Sequence, residues 1–404
     1  MPNQPKVSVI LTSYNHAKYL REAIDSTLNQ TFTDFELIVW DDASTDNSWE
    51  IIQSYTDARI KAFRNEKQSL ARYGMNKAIQ EVACGDYIAI HHSDDAWLPE
   101  KLEKQVAFLD ANPNIGAVFS DLLVMGENGE LLPEDTHSHQ KLFAQPNRSR
   151  HEWLNHFFYK GNALAHPSVL IRKQCYSTCG MYRFGFPVAD YDMWVRLCMR
   201  YEIYVLPEKL TKFRVRDNEA NLSANRPASR LKGYFQWLQI LRNYRTIISR
   251  DELLKIFPEA VSYDSPKGFI PTFVLAMMAM EMPKAHNVLE LFGLELLFEL
   301  MNDLRSKRQV EEIYGFGVKD YLETLGKHDV FSIELTTQLR AIIVQKEALL
   351  AEQGALLAKK DTSLVEEEAL LKEKDMVIQE IYNSKAWKLI TAFRKIKSRF
   401  QIRR

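Results

Sequence analysis

Cysteine is scarce, with 4 in 404 residues. Cys84, Cys175, Cys179 and Cys198 are too few for a disulfide scaffold at this length; none forms a C-x-x-C pair, and no histidine stands at zinc spacing from Cys175 and Cys179. They read as reduced, mostly buried thiols of a cytosolic protein. Charge of one sign is also lacking: 52 Lys+Arg against 53 Asp+Glu leave a net charge of -1, which argues against a dedicated nucleic-acid binder. The most apolar stretch, Phe269 to Met282, contains Pro271 and Glu281 and is too short to span a bilayer. The polar Met1 to Lys6 leads directly into a strand, so no secretory signal is expected.

What is present is ordinary in bulk and uneven in place. The chain is 46% hydrophobic and 26% charged, a globular composition, and its length predicts two or three domains. Residues 384–404 carry eight Lys/Arg and no acid, so the remaining 383 carry a net charge of -9.

The first 120 residues alternate compact apolar runs with helical patterns. Val7–Leu11, Phe35–Trp40, Ile60–Phe63 and Tyr87–Ile90 read as strands. Between them fall a helix capped by Asn15 with Leu20, Ala23, Ile24 and Leu28 inward, and a second with Asn47 and Glu50 spaced as a capping box. A third carries Met75, Ala78, Ile79 and Val82 on one face. Apolar strands alternating with helices imply a mostly parallel sheet covered on both faces, an α/β fold with its ligand site beyond the carboxyl ends of the strands. Further strands are expected at Ile115–Ser120, Pro167–Ile171 and Ile203–Leu206, a helix at Asp190–Tyr201, and polar loops at Glu127–Gln140 and Asn218–Pro227. Helical periodicity dominates residues 228–332. Over 333–383, Ile343, Leu350, Leu357, Leu364, Leu371 and Ile378 recur every seven residues beside an alanine seam, which favours a long helix or coiled coil. Gly354 and Asp361–Ser363 interrupt that pattern, and a solvated single helix is the alternative.

Polar residues gather after three strands: Thr12-Ser13-Tyr14-Asn15, Asp41-Asp42-Ala43-Ser44-Thr45-Asp46 and His91-His92-Ser93-Asp94-Asp95. Acids massed on one sheet edge need a cation or donor-rich ligand to offset their repulsion. A divalent ion held by one or two carboxylates and completed by phosphate oxygens would supply it, and a carboxylate can accept from a base N–H or ribose hydroxyls. Any one of these acids could instead be a helix cap or turn former; the three clusters together suggest a metal-held nucleoside diphosphate.

The run Val7-Ser8-Val9-Ile10-Leu11-Thr12-Ser13-Tyr14-Asn15, with Asn29-Gln30-Thr31-Phe32, Phe35-Glu36-Leu37-Ile38-Val39 and Asp41 to Asp46, resembles the family 2 glycosyltransferases of GT-A fold. Gly85-Asp86-Tyr87-Ile88-Ala89, Ser93-Asp94-Asp95 and Asp190 to Leu197 continue the likeness, which covers about residues 5–216. The resemblance implies a UDP- or dTDP-type sugar donor, a glycan or lipid-linked saccharide acceptor and a divalent metal, Mn²⁺ or Mg²⁺. Carried over by position, Thr12 and Tyr14 flank the nucleobase and Asp42 accepts its imide N–H. Asp94 meets the ribose and metal region, Asp95 ligates the metal, and Asp190 is the catalytic base of an inverting single displacement. Two positions depart from the pattern. His92 stands where many members have an acid, which weakens metal binding or makes His92 an auxiliary. Arg216 stands where many have a histidine; an Arg clamps phosphate but ligates no metal.

Arg72 is a further phosphate-clamp candidate, with a solvated helix position as its ordinary explanation. His166, beside Gly161-Asn162-Ala163, is a candidate for the acceptor pocket. Asp192 is the fallback for Asp190, whose position also suits a simple helix cap. A metal and guanidinium groups would neutralise a departing diphosphate, and an acceptor hydroxyl needs a carboxylate base. In the terminal stretch, Leu389, Phe393, Ile396 and Phe400 share one helical face, with Trp387 near its start and basic flanks, as in a helix that docks on an anionic membrane surface. A terminal helix packing on its own domain is the alternative, and a coiled coil before it would pair two tails.

The expected organisation is a GT-A catalytic domain over 1–227, a helical domain over 228–332, a coiled coil or long helix over 333–383 and a basic amphipathic tail over 384–404. The expected enzyme is cytoplasmic and peripheral to the inner face of the membrane, with homo-oligomerisation through the coiled coil and no nucleic-acid partner. The rivals are a nucleotidyltransferase acting on sugar phosphates, disfavoured because Thr12–Asn15 contains no glycine for a phosphate loop, and a non-catalytic coiled-coil scaffold.

Overall fold

The computed structural model describes residues 4–69, 71–185, 188–216, 227–281 and 287–401. Residues 186–187 and 217–226, and with them Pro187 and most of the expected 218–227 loop, lie outside that description. Among the described residues eight strands form one sheet: β1 (Val7–Ser13), β2 (Phe35–Asp41), β3 (Ile60–Arg64), β4 (Tyr87–His92), β5 (Ala96–Trp97), β6 (Ile115–Met125), β7 (Leu170–Arg172) and β8 (Glu202–Arg214). Their order is β3-β2-β1-β4-β7-β6-β8-β5. β1 to β4 are mutually parallel, β7 runs antiparallel to both β4 and β6, β6 and β8 are parallel, and β5 is antiparallel to β8. The antiparallel β7 is the part that apolar runs alone could not orient.

The apolar strands are buried because helices cover both faces. Val7, Val9, Leu11, Leu37 and Val39 pack with Leu20, Ile24, Leu102 and Val106 on one side. Ile10, Ile38, Ile88 and Ile90 belong to the opposite core, with Trp153, Phe157, Trp194 and Leu197. That second core continues without a break into the helices after residue 227. Phe158 packs edge-on to Phe257 and Phe292, and Arg150 pairs with Glu252 at 2.6 Å. The described residues up to Val330 therefore form one compact unit, so packing is continuous across the expected boundary at 227–228.

Phe331–Arg404 is a second unit. The helix Ile333–Asn383 runs unbroken through Gly354 and Asp361–Ser363, with its side chains exposed. Most of its heptad-spaced residues follow another apolar residue directly: Ile342, Leu349, Leu356, Leu370 and Val377. Adjacent residues stand about 100° apart around a helix, so the apolar surface faces more than one direction. A second helix, Lys385–Gln401, follows Ser384; the side chains of Phe393, Ile396 and Phe400 lie outside the described residues. No described helix is long and apolar enough to cross a membrane.

Three local expectations need correction. Asn15 does not cap the first helix, because it sits at φ 52°, a left-handed conformation that asparagine tolerates, and its Oδ1 accepts the Thr45 N–H at 2.8 Å. His16 takes the cap position of the helix Ala17–Leu28. Asn47 and Glu50 form no capping box; Asp46 Oδ1 accepts the Ser48 N–H instead. Cys84 is exposed and Cys179 half-buried, with only Cys175 and Cys198 buried, and all four are free.

Candidate active site

The carboxyl ends of β1, β2 and β4 lie side by side, with Thr12 in register with both Trp40 and His92. Local structure sorts the acids there. Asp41 is buried against Arg64 and accepts the Ser44 N–H, and Asp46 accepts from Ala17 and Ser48, so both serve the loop. Asp42 is different. Its Oδ1 accepts from Asn65 Nδ2 at 2.7 Å and from the Ser69 N–H at 2.8 Å, which leaves Oδ2 without a hydrogen bond among the described residues. Asn65 is in turn fixed by Trp40, whose Nε1 donates to its Oδ1 at 2.9 Å. Tyr14 and Thr12 are half-buried beside this carboxylate strand end.

After β4 the chain turns sharply and brings His92, Asp94 and Asp95 together, with one ligand atom of each within 4.8 Å of the others. His91 points away: it stacks on Trp97 and meets Thr27, in the core on the other side. Asp95 is buried. Its Oδ1 accepts the Arg214 N–H at 2.8 Å, and its Oδ2 lies 3.4 Å from His92 Nδ1 with no hydrogen bond of its own. Burial raises the Asp95 carboxyl to about 6, against the opposing pull of His92. Burial disfavours a charged His92, yet Asp95, Asp94 and Asp190 together raise its pKa. Its Nε2 meets His166 Nδ1 at 3.1 Å, and His166 Nε2 meets the Tyr182 hydroxyl at 3.0 Å. Burial, then the charges of His92 and Arg72, push His166 well below the usual imidazole range. A His92 that donates from Nε2 and a His166 that accepts on Nδ1 and donates from Nε2 satisfy these two bonds, and His92 Nδ1 is left facing Asp95 and Asp94. His166 thus stands behind His92, half-buried and edge-on to Trp194.

Asp190 occupies the first turn of the helix Ala189–Cys198 and is half-buried. Burial raises its pKa, opposed by the Tyr191 N–H, His92 and Arg72. Arg72 lies at the start of the helix Ala71–Lys77; burial lowers its pKa, opposed by the charge of Asp190. Asp192 is committed elsewhere: Arg183 and Asn243 reach its Oδ1 and Arg196 its Oδ2. With both oxygens occupied and no exposure, it has no room to act as a base.

Two arginines close the far side. Arg214 is buried, donates from Nε to the Asp94 carbonyl and also pairs with Glu22. Arg216 donates from Nη1 to His16 Nε2 at 2.8 Å and lies 3.8 Å from Asp94 Oδ2. His16 Nδ1 then meets Ser93 Oγ at 2.8 Å, and burial lowers its pKa. Asp94, Asp95, Asp190, His92, Arg72 and Arg216 are thus linked through contacts and charge, and Asp42 stands at the end of the neighbouring strand β2. His16, Asn65, Ser69 and Tyr182 were not singled out from sequence; only His16, directly after Thr12–Asn15, stood close to a legible motif.

Chemically, the cleft offers an unoccupied acceptor oxygen on Asp42, a carboxylate–imidazole cluster and guanidinium groups beside it. Two carboxylates and one imidazole form a donor set suited to Mn²⁺ or Mg²⁺, and the buried, unpaired Asp95 Oδ2 fits a cation better than it fits an empty pocket.

The family model described as glycosyl transferase family 2 matches residues 8–173. The O-antigen biosynthesis glycosyltransferase WbnJ of Escherichia coli is 31% identical over 226 residues, 54% of this chain and 83% of its own length. An uncharacterized glycosyltransferase of Methanocaldococcus jannaschii is 29% identical over 68% of this chain and 93% of its own. Among solved structures, residues 1–349 of S. aureus TarS in complex with UDP-GlcNAc superpose with a TM-score of 0.50 at 20% identity, covering 77% of this chain and 91% of that one. The chain has the GT-A fold expected of its sequence.

Proposed function

The chain belongs to glycosyl transferase family 2 and is an enzyme of glycosyl transfer, and we propose that it moves a sugar from a UDP or dTDP sugar to a hydroxyl of a glycan or lipid-linked saccharide, with inversion. The observation that supports this reading is the His92–Asp94–Asp95 cluster, with His92 within range of the charge of Asp190 and Asp190 within range of that of Arg72.

In this reading the nucleobase lies between Thr12 and Tyr14. The open oxygen of Asp42 accepts the imide N–H of uracil or thymine, a proton that the corresponding ring nitrogen of cytosine lacks. Asp94 meets the ribose and metal region. Asp95, with Asp94 and His92, holds Mn²⁺ or Mg²⁺; when bound, the cation neutralises charge on the diphosphate. Arg216 and Arg72 add guanidinium donors to the same phosphates. Asp190 accepts the proton of the acceptor hydroxyl as its oxygen attacks the anomeric carbon. The bond from that carbon to the diphosphate breaks, and its electron pair leaves with the nucleoside diphosphate. One displacement inverts the anomeric centre. His166 belongs to the support of His92 and through it to the acceptor side of the cleft.

The name of the Escherichia coli relative supports polysaccharide assembly as the setting. We assign catalysis to residues 1–227, with 228–332 as its helical buttress, 333–383 as a long helix for homo-oligomerisation and 384–404 as a basic tail. The basic flanks of that tail support docking on the anionic inner face of the membrane. A melting-temperature screen of nucleotide sugars with and without Mn²⁺ tests the donor site. The expected result is stabilisation by UDP or dTDP compounds only when metal is present; no response to any nucleotide sugar overturns the reading.

A further inference from the structure

We propose that Asn162 is the positioning residue for Asp190, fixing which carboxylate oxygen faces the acceptor. This inference rests on the reading of Asp190 as the base.

The helix Arg150–Lys160 ends at Gly161, whose φ of +85° is one that side-chain-bearing residues rarely adopt. A Cβ there would meet nothing within 4 Å, so the requirement for glycine lies in the backbone turn itself. That turn sets Asn162 beside the first turn of the helix Ala189–Cys198. Asn162 Oδ1 accepts the Leu164 N–H at 3.1 Å, a local turn bond, and Nδ2 donates to Asp190 Oδ2 at 2.9 Å. The two bonds determine each other. Only oxygen can accept from the Leu164 N–H, so the amide nitrogen must face Asp190. A donor aimed at Oδ2 favours the ionised carboxylate and leaves Oδ1 as the oxygen for an incoming hydroxyl. Other groups around Asp190 also favour the ionised form, and what Asn162 adds is a side-chain donor on one oxygen, Oδ2. His92 and Arg72 act on it through their charge, Tyr182 faces it from the loop before its helix, and the Tyr191 N–H belongs to its own helix.

Asn162→Asp is the diagnostic variant. It keeps an oxygen for Leu164 and the same shape, but replaces the donor to Asp190 with a second carboxylate. On the full chain, melting is followed from pH 4 to 8 for wild type, Asn162→Asp, Asp190→Asn and the double variant. Two adjacent carboxylates raise the pKa of one, so the melting deficit of Asn162→Asp is small at pH 4 and grows by several degrees toward neutrality. In the Asp190→Asn background that growth disappears. In turnover of the UDP or dTDP sugar that stabilises the protein most, Asn162→Asp lowers kcat about tenfold to hundredfold with donor KM unchanged, and its deficit narrows as pH rises. Asn162→Ala also loses the turn; should it fail to fold, the aspartate variant still decides. Wild-type kcat and pH profile in Asn162→Asp, or melting without coupling to Asp190, overturns the inference. If Asp190→Asn keeps transfer, the base assignment itself fails; if Asp190→Asn is inactive and Asn162→Asp is normal, only the positioning role does.

Discussion

Arg216 donates from Nη1 to His16 Nε2 at 2.8 Å, so the imidazole is held as an acceptor on that nitrogen and as a donor to Ser93 on the other. A residue at the end of β8 is thereby aimed across the cleft by one at the end of β1. Lysine cannot reproduce this, because its ammonium lacks the planar fork that meets an imidazole and a phosphate together. Arg216→Lys should weaken UDP binding about tenfold to hundredfold, the range for a lost charge-assisted hydrogen bond. Isothermal titration with UDP and Mn²⁺ checks it.

Asp95 links metal affinity to pH. Its buried carboxyl titrates at about 6, above the usual carboxylate range. A cation must displace that proton and compete with the one on His92, whose pKa is also raised, so Mn²⁺ affinity should fall by at least about tenfold per unit below pH 6. The stability sign is opposite. A folded pKa raised above the unfolded value gives stability present below about pH 4 and lost as pH rises through about 6. Asp95→Asn should therefore raise the melting temperature of the metal-free protein at pH 7.5 while abolishing its response to Mn²⁺.

Gly74 transmits packing to the nucleotide side. A Cβ on it would stand 2.4 Å from Trp40 Cδ1. Trp40 has little room to give, being stacked on Phe63 at 4.9 Å and bonded to Asn65, which holds Asp42. Gly74→Ala should cost about 1–3 kcal/mol through overpacking, despite the helix propensity it gains. Denaturant melts should show the loss, and UDP affinity should fall with it.

Lys101 is fully buried, over the Trp97 ring at 4.0 Å with its Nζ on Gln105 Oε1. Burial pushes its pKa well below the usual lysine range. The unfolded chain then binds more protons up to pH about 10.5, so stability should rise with pH on the alkaline side. Lys101→Met should flatten that rise and increase stability at pH 7, as measured by urea unfolding.

The strand ends were legible because apolar runs stop abruptly at Thr12, Asp41 and His91, and side chains beyond a covered sheet edge face solvent or ligand. The helix that carries Asp190 was legible from the pattern around Trp194, whereas the choice of Asp190 as base came from the family likeness. The supports were not. Asn65 and Ser69 reach Asp42 from a segment whose composition is that of any polar loop, and Tyr182 meets His166 only after the chain has returned over the sheet. Sequence could not show that His166 joins His92 to Tyr182 and packs on Trp194. The helices after 227 looked like a separate domain because their apolar faces do not reveal that Phe157 and Phe158 complete them. Asn15 looked like a cap because its left-handed backbone and its bond to Thr45 depend on the neighbouring loop.

The role of Asp190 is tested most directly by one comparison. UDP binding and sugar release are measured side by side in wild type and Asp190→Asn, with Mn²⁺ and the stabilising donor present. Nucleotide affinity within about twofold of wild type, with turnover reduced at least about a hundredfold, is the predicted result. Full turnover in the variant would contradict it.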